Sequence, residues 1–252
     1  MIPHVSRLGL ALVKGTRHLD RDDVVLDRHG PVGDRTWCLV DRAAARVLRT
    51  VENPHLLRLA VRDVGTVEEP RLAVTTPDGR TTEAGTRDAA HGIRAFDYWG
   101  RGARIRLQDT ALHALFSDAL GRDVVLARAE RGDVVYADPV SVVTTGALRR
   151  LEESLRAAGY AVPAPLDARF RATVTLDLDD DPPPGTRLRL GDAVVEVTDP
   201  LERCAVVDLD PVTGERTDVR LLSHLRADDG RLLFGMGARV LRPGTVRVGQ
   251  AS

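Results

Sequence analysis

Apolar and polar residues alternate in short stretches along most of this chain, the period-two pattern of strands with one buried face. Thr36 to Val40 is a β-rich apolar run that follows the turn-forming Gly30-Pro31-Val32-Gly33. Arg71 to Thr75 alternates up to Pro77-Asp78-Gly79, a hairpin-like turn, and Arg104 to Leu107 alternates again. Thr173 to Leu178 keeps a period of two until Asp179-Asp180-Asp181 and the prolines behind it, which cannot continue a strand. Arg187 to Leu190, Ala193 to Val197 and Leu232 to Leu241 complete a strand-rich second half. Helical spacing is confined to two segments. Residues 110–120 run from a Thr110 cap to Gly121 with Leu112, Leu115, Phe116 and Leu120 on one face. Residues 146–158 place Leu148, Leu151 and Leu155 together and stop at Gly159. The pattern predicts a mainly β protein with a few helices, of the α+β class.

A length of 252 residues corresponds to roughly 1.7 domains at about 150 residues each. His91 to Gly102 reads as a connecting loop, which predicts an N-terminal β-rich domain over residues 1–100 and an α+β domain over residues 101–252. With 43% apolar and 29% charged residues the composition is that of a globular protein. The formal net charge of -1 lacks the positive excess of a chain that neutralises phosphates, so no nucleic-acid partner is expected. Lys14 is the only lysine; every other fixed cation is an arginine, which grips carboxylates and phosphates with a planar fork. The apolar run Leu8 to Val13 is too short for a signal-peptide core or a membrane span. The expectation is a cytoplasmic protein with no membrane association and both thiols reduced.

Cys38 and Cys204 cannot supply a disulfide framework, a four-cysteine metal site or a cluster, and no CxxC, HExxH, GxSxG, GxGxxG or phosphate-binding GxxxxGKS/T motif occurs. The seven histidines show no ligand spacing. Glu152 and Glu153 belong to a solvated helix face. Candidate chemistry therefore rests on isolated polar residues, each with a bland alternative. Cys204 follows Arg203, and a guanidinium beside a thiol favours the thiolate, the form that attacks electrophiles or binds a soft metal. A lone cysteine is equally at home buried in a core, and Cys38, between Trp37 and Leu39-Val40, reads as core filling. If Arg169-Phe170-Arg171 is extended, both arginines share one side as an anion clamp while Phe170 buries; the alternative is a solvated edge strand. Asp34-Arg35 reads as an ion pair or turn cap. Lys14-Gly15 places a cation beside a residue that permits close backbone approach.

In order along the chain these pieces resemble the MOSC-domain proteins, named for the C-terminal domain of molybdenum cofactor sulfurases. The chain looks like the longer members with an N-terminal β-barrel domain, such as the amidoxime-reducing component and its bacterial relatives. Leu12-Val13-Lys14-Gly15 followed by Gly33-Asp34-Arg35-Thr36-Trp37 and Leu39-Val40-Asp41 is similar to the family's opening. Arg49 with Pro54 and Leu56, Tyr136-Ala137-Asp138, Arg169-Phe170-Arg171, Arg203-Cys204, Asp210 to Gly214, Phe234-Gly235 and Gly244 to Gly249 follow in the family's sequence. The likeness spans nearly the whole chain.

This resemblance implies a MOSC-type β-barrel domain preceded by a smaller β-rich domain. It also implies a molybdenum cofactor (molybdopterin) whose metal is ligated by Cys204, with the pterin phosphate near Lys14, Arg35 and Arg171. A thiolate is a soft ligand of the kind molybdenum accepts, and a phosphate wants convergent cations. Arg169, Arg203, Gly15 and Thr173 fall in the same motifs. The chain departs from the family where Gly15 replaces a serine and Ala172-Thr173 replaces proline and asparagine, each lost hydrogen bond costing about 1 kcal/mol. The implied activity is reduction of an N-oxygenated small molecule with electrons from a separate redox donor. A second expectation makes Cys204 itself the nucleophile. It would carry sulfur as a persulfide from a cysteine desulfurase, or act in carbon–sulfur bond chemistry, with no cofactor and with Arg169, Arg171 and Arg203 holding a small anionic substrate. A third is a binding module without turnover.

Overall fold

The computed structural model describes residues 1–227 and 229–249. Its largest sheet runs in the order Arg187–Leu190, Ala193–Glu202, Leu233–Arg242, Val140–Thr144, Val174–Asp177, His4–Leu10 and Leu19–Arg21. The chain's first two strands thus complete a sheet otherwise built from its second half, with Leu8 opposite Val174. A closed barrel is made by Arg87–Tyr98, Arg101–Asp109, Val125–Ala129, Trp37–Asp41 and Arg46–Val47. Two three-stranded sheets flank these bodies. The α+β class and the N-terminal barrel expected from the sequence are both present. Among the described residues no helix is long and apolar enough to cross a membrane.

Alternation builds the barrel: along Arg101–Asp109, Ala103 and Ile105 are buried while Arg104 stays exposed. Cys38, Val40, Phe96, Tyr98 and Val125 complete its apolar filling. The segment expected as a loop between domains is instead strand. Arg87–Tyr98 turns through Trp99-Gly100 directly into Arg101–Asp109, with Tyr98 paired to Arg101. A cut at residue 100 would fall on this hairpin tip. The several glycines of the segment disguise its alternation.

Both expected helices form. Leu112–Leu120 buries Leu112 and Phe116 and ends on left-handed Gly121 at φ 63°. Thr145–Ala157 is capped by Thr144, whose hydroxyl accepts from the Ala147 amide at 3.2 Å. Its Leu151 and Leu155 pack with Leu166, Phe170, Val207 and Leu221. Arg169-Phe170-Arg171 is not extended, correcting the reading of both arginines as one strand face. The short helix Leu166–Arg169 leads through Phe170 to Arg171, which sits in the left-handed region at φ 51°.

Gly30, in the small sheet with Asp23–Asp27 and Gly244–Arg247, has a φ of 99° and packs its α-carbon against the Pro139 carbonyl, one residue before the large-sheet strand Val140–Thr144. A β-carbon on Gly30 would lie 2.1 Å from that oxygen, whereas one on Gly79, at φ 83°, would meet nothing. Gly79→Ala is expected to cost about 1 kcal/mol from backbone strain alone, and Gly30→Ala about 2–4 kcal/mol. Urea unfolding of the two variants checks the difference; equal losses would contradict the close approach.

Candidate functional site

A cleft opens where the barrel rim faces the large sheet. Its walls come mainly from turns, which supply Lys14, Arg35, Arg49 to Val51, Trp99, Val135 to Pro139, Arg169 to Arg171, Thr173, Arg203, Cys204, Val206 and Val207; strand residues Tyr98, Ser141 and Leu201-Glu202 complete them. Of the sequence-predicted residues, Lys14, Arg35, Arg169, Arg171, Thr173, Arg203 and Cys204 all line it. Gly15 does not. It lies behind Lys14 at φ 93°, where a β-carbon would press within 2.8 Å of Leu56.

The cationic side is tightly scaffolded. The Lys14 amide donates to the Trp37 carbonyl at 2.7 Å, and the Arg35 amide to the Ala11 carbonyl at 2.7 Å. Asp34 forms the expected ion pair with Arg35, and instead of capping its own turn it accepts from the distant Ala11 amide at 2.9 Å. Arg203 is bolted down by donating to the Phe234 carbonyl at 2.8 Å and the Phe170 carbonyl at 3.0 Å. Phe170 and Phe234 stack with centroids 4.0 Å apart beneath it. Arg169 is committed inward, donating to the Leu209 carbonyl at 2.9 Å and lying 3.8 Å from Asp210.

Lys14, Arg171 and Arg203 pair with no carboxylate among the described residues, and one buried nitrogen each on Arg171 (Nη1) and Arg203 (Nη2) has no hydrogen-bond partner. Buried donors are rarely left this way. Burial, then repulsion from Arg35 and Arg171, pushes Lys14 down to about 7. Burial and Arg35 push Arg171 down to about 9, and burial brings Arg203 to about 10. Neither lining carboxylate pairs with them: Asp138 accepts from the Thr198 hydroxyl at 3.0 Å and stands over Gly237, and Glu202 makes no ion pair with these cations. The site as built is short of negative charge.

Cys204 is exposed, at the N-terminal end of the 3-10 turn Ala205–Asp208, so it is not the buried core thiol that a lone cysteine can be. It lines the same cleft as Arg171 and Arg203, its neighbour in sequence. Cys38 is the core thiol, buried in the barrel and pushed up to about 12 by that burial. Ser141 and Thr173 interlock across neighbouring strands: the Ser141 amide donates to Thr173 Oγ1 at 3.2 Å, and the Thr173 amide to Ser141 Oγ at 3.0 Å. Their hydroxyls lie 3.3 Å apart, so one donates to the other and the second hydroxyl hydrogen is left for a ligand. Among the described residues no group of three or more His, Cys, Asp or Glu could hold a metal ion, so a metal here would take one thiolate from the protein and its other ligands from elsewhere.

Sequence reading had not singled out Tyr98, Trp99 or Ser141 as site residues, and it used Arg49 and Tyr136 only as family landmarks. Tyr98 lies between Lys14, whose Nζ is 4.8 Å from the ring centroid, and Arg101, at 5.1 Å. Burial pushes its phenol up to about 12, and the hydroxyl has no hydrogen-bond partner. The left-handed backbone was equally hidden. Among the described residues four non-glycines have positive φ, and three of them, Arg35, Trp99 and Arg171, line this cleft. Such conformations cost of order 1–3 kcal/mol each and collect at functional sites.

The family model of the MOSC domain matches residues 119–251, and that of the MOSC N-terminal beta barrel domain matches residues 3–123. The chain belongs to the MOSC-domain family, whose association is with the molybdenum cofactor. In solved structures it is similar to the YuaD protein of Bacillus subtilis, at 13% identity over 99% of this chain and 93% of that one, with a TM-score of 0.45. A comparison with curated proteins gives no match.

The Lys14 environment has a pH signature. Between its folded value of about 7 and its ordinary 10.5, the unfolded chain holds a proton that the folded chain has released, so this group makes stability rise with pH across that window. Below it both states are protonated and the full penalty of burying the cation applies. Lys14→Met is therefore expected to stabilise the ligand-free protein at pH 6 and to flatten its stability profile between pH 7 and 10.5. Chemical unfolding at a series of pH values measures both. Parallel profiles for the two proteins would contradict the assignment.

Proposed function

We propose that the cleft holds a molybdenum cofactor, and that the protein uses it to remove oxygen from an N-oxygenated small molecule with electrons from a separate redox protein. The observation that carries this reading is a reachable thiol and partnerless buried guanidinium nitrogens sharing one cleft in a MOSC-family chain. The residues present fit the group. Cys204 offers a thiolate to the metal. Lys14, Arg35 and Arg171 offer convergent positive charge to a phosphate, whose negative charge would offset the burial and the repulsion that now drive Lys14 toward neutrality. Molybdenum bound there would supply the electron exchange that accompanies oxygen removal, each turnover consuming an electron pair and a pair of protons and releasing water.

The protein's own part is binding and alignment. Arg203 cannot swing, because its other nitrogens and its ring contact are already engaged, so its partnerless Nη2 is a fixed donor in the cleft wall near Gly235. The departures from the family pattern are absorbed locally. Ala172 is buried in the apolar cluster under the helix Thr145–Ala157, and Thr173 keeps a hydroxyl in the cleft through its pairing with Ser141. Gly15 takes a left-handed turn that a serine would strain.

The exposure of Cys204 also supports a second reading, in which the thiol accepts sulfur from a desulfurase or attacks a small anionic substrate directly. Metal analysis of protein made in a cofactor-competent host separates the two. Stoichiometric molybdenum that is lost in Cys204→Ala and retained in Cys38→Ala is the expected result. Arg171→Gln is expected to weaken cofactor retention about ten- to a hundredfold, the worth of a charge-assisted hydrogen bond. Metal-free protein that gains the mass of one sulfur on Cys204 after exposure to a desulfurase would overturn the first reading for the second.

A further inference from the structure

The mouth of the cleft is aromatic. Trp99 is 43% exposed and Tyr136 58% exposed, and their rings meet edge to face with centroids 5.4 Å apart. Arg49 covers Trp99, its guanidinium carbon 4.3 Å from the ring centroid, while its charge is answered by Glu52. Two exposed aromatics side by side in a chain with 4% aromatic residues are already unusual.

The backbone makes the case stronger. Trp99 and Gly100 form the two-residue loop of the barrel hairpin, closed by the Tyr98–Arg101 pair, with φ values of 57° and 77°. That turn demands positive φ at both central positions, which is why asparagine, aspartate and glycine dominate the first of them. A tryptophan there is a costly choice for folding. The tip is nevertheless pinned: the Gly100 amide donates to Asp97 at 2.9 Å, and Arg101 reaches across to donate to the Val135 carbonyl. Arg101 thereby ties the hairpin carrying Trp99 to the segment carrying Tyr136. Behind the pair stands Tyr98, with its partnerless hydroxyl.

We infer that Trp99 and Tyr136 form a specificity jaw that selects planar, ring-bearing substrates by stacking, with Tyr98 offering a hydrogen bond deeper in the cleft. The strained turn is retained because only that backbone aims a large flat side chain across the opening. A puckered or open-chain molecule presents no π-face, so it gains the cleft's polar contacts without the stacking contribution. The inference rests on the reductase reading for the N-oxygenated character of the substrate, while the jaw itself rests on the aromatic geometry.

The test uses a matched pair of probes, pyridine N-oxide and N-methylmorpholine N-oxide, which share the N–O group and a six-membered ring but differ in planarity. Calorimetric titration of the full-length protein from a cofactor-competent host is expected to show tighter binding of the planar probe. Trp99→Gly and Trp99→Asn suit the turn better than tryptophan, so both should fold with equal or higher thermal stability. They are expected to lose about five- to tenfold in affinity for the planar probe and to keep the affinity for the saturated one. Tyr136→Ala should lose part of the same preference. Equal affinities for both probes in the native protein, or a parallel loss of both in the variants, would overturn the jaw. Failure of the reductase reading would show separately, as isolated protein without molybdenum.

Discussion

Everything at this site follows from holding like charges together out of water. Lys14, Arg35 and Arg171 approach one another in a cleft that leaves each only partly exposed, and burial together with this crowding makes Lys14 give up its proton far more readily than a free lysine. Such an arrangement persists only because the surrounding fold is stiff. Asp34 fixes Arg35 to the backbone of Ala11, and the stacked phenylalanines and main-chain carbonyls fix Arg203. The repulsion is then available to be released by an incoming anion, which is how a preorganised binding site gains affinity without moving. The reachable thiol beside this cluster gives the same cleft a soft donor next to a hard cationic one.

Location explains why one cleft collects so many demands. It lies on the seam between the closed barrel and the large sheet, so its walls are mainly turns, and turns can place side chains where strand faces cannot. Left-handed arginines and a left-handed tryptophan are the result. The regular elements supply rigidity; the irregular ones supply direction. Gly30, against the Pro139 carbonyl, lets the small sheet approach the large one, and Gly235, against the Val142 carbonyl, lets two neighbouring strands of the large sheet close up beside Arg203.

Much of the scaffold is legible in the sequence, because it is governed by local periodicity. Arg71–Thr75 and Arg187–Leu190 alternate cleanly and form strands over those same residues, and Gly121 and Gly159 end the helices they were expected to end. The stretch from His91 to Gly102 misled because Gly92, Gly100 and Gly102 interrupt an otherwise alternating hairpin. Arg169-Phe170-Arg171 misled for another reason: nothing local announces that an arginine will take a positive φ. The meeting of Lys14, Arg35, Arg171, Arg203 and Cys204 could be expected only through family likeness, since residues so distant in order share no periodicity. Trp99 lay beyond either route, because the role of a hairpin tip depends on what stands opposite it.

The pairing of His4–Leu10 with Val174–Asp177 has a consequence for biosynthesis. At about 5–20 residues added per second, the ribosome needs on the order of ten to thirty seconds to pass from one partner to the other. The barrel can condense meanwhile, but Lys14, anchored just beyond the earlier strand, has no finished cavity to serve until the segment carrying Cys204 has been made. An anion or metal that needs the whole cleft therefore cannot be captured while the barrel alone has emerged.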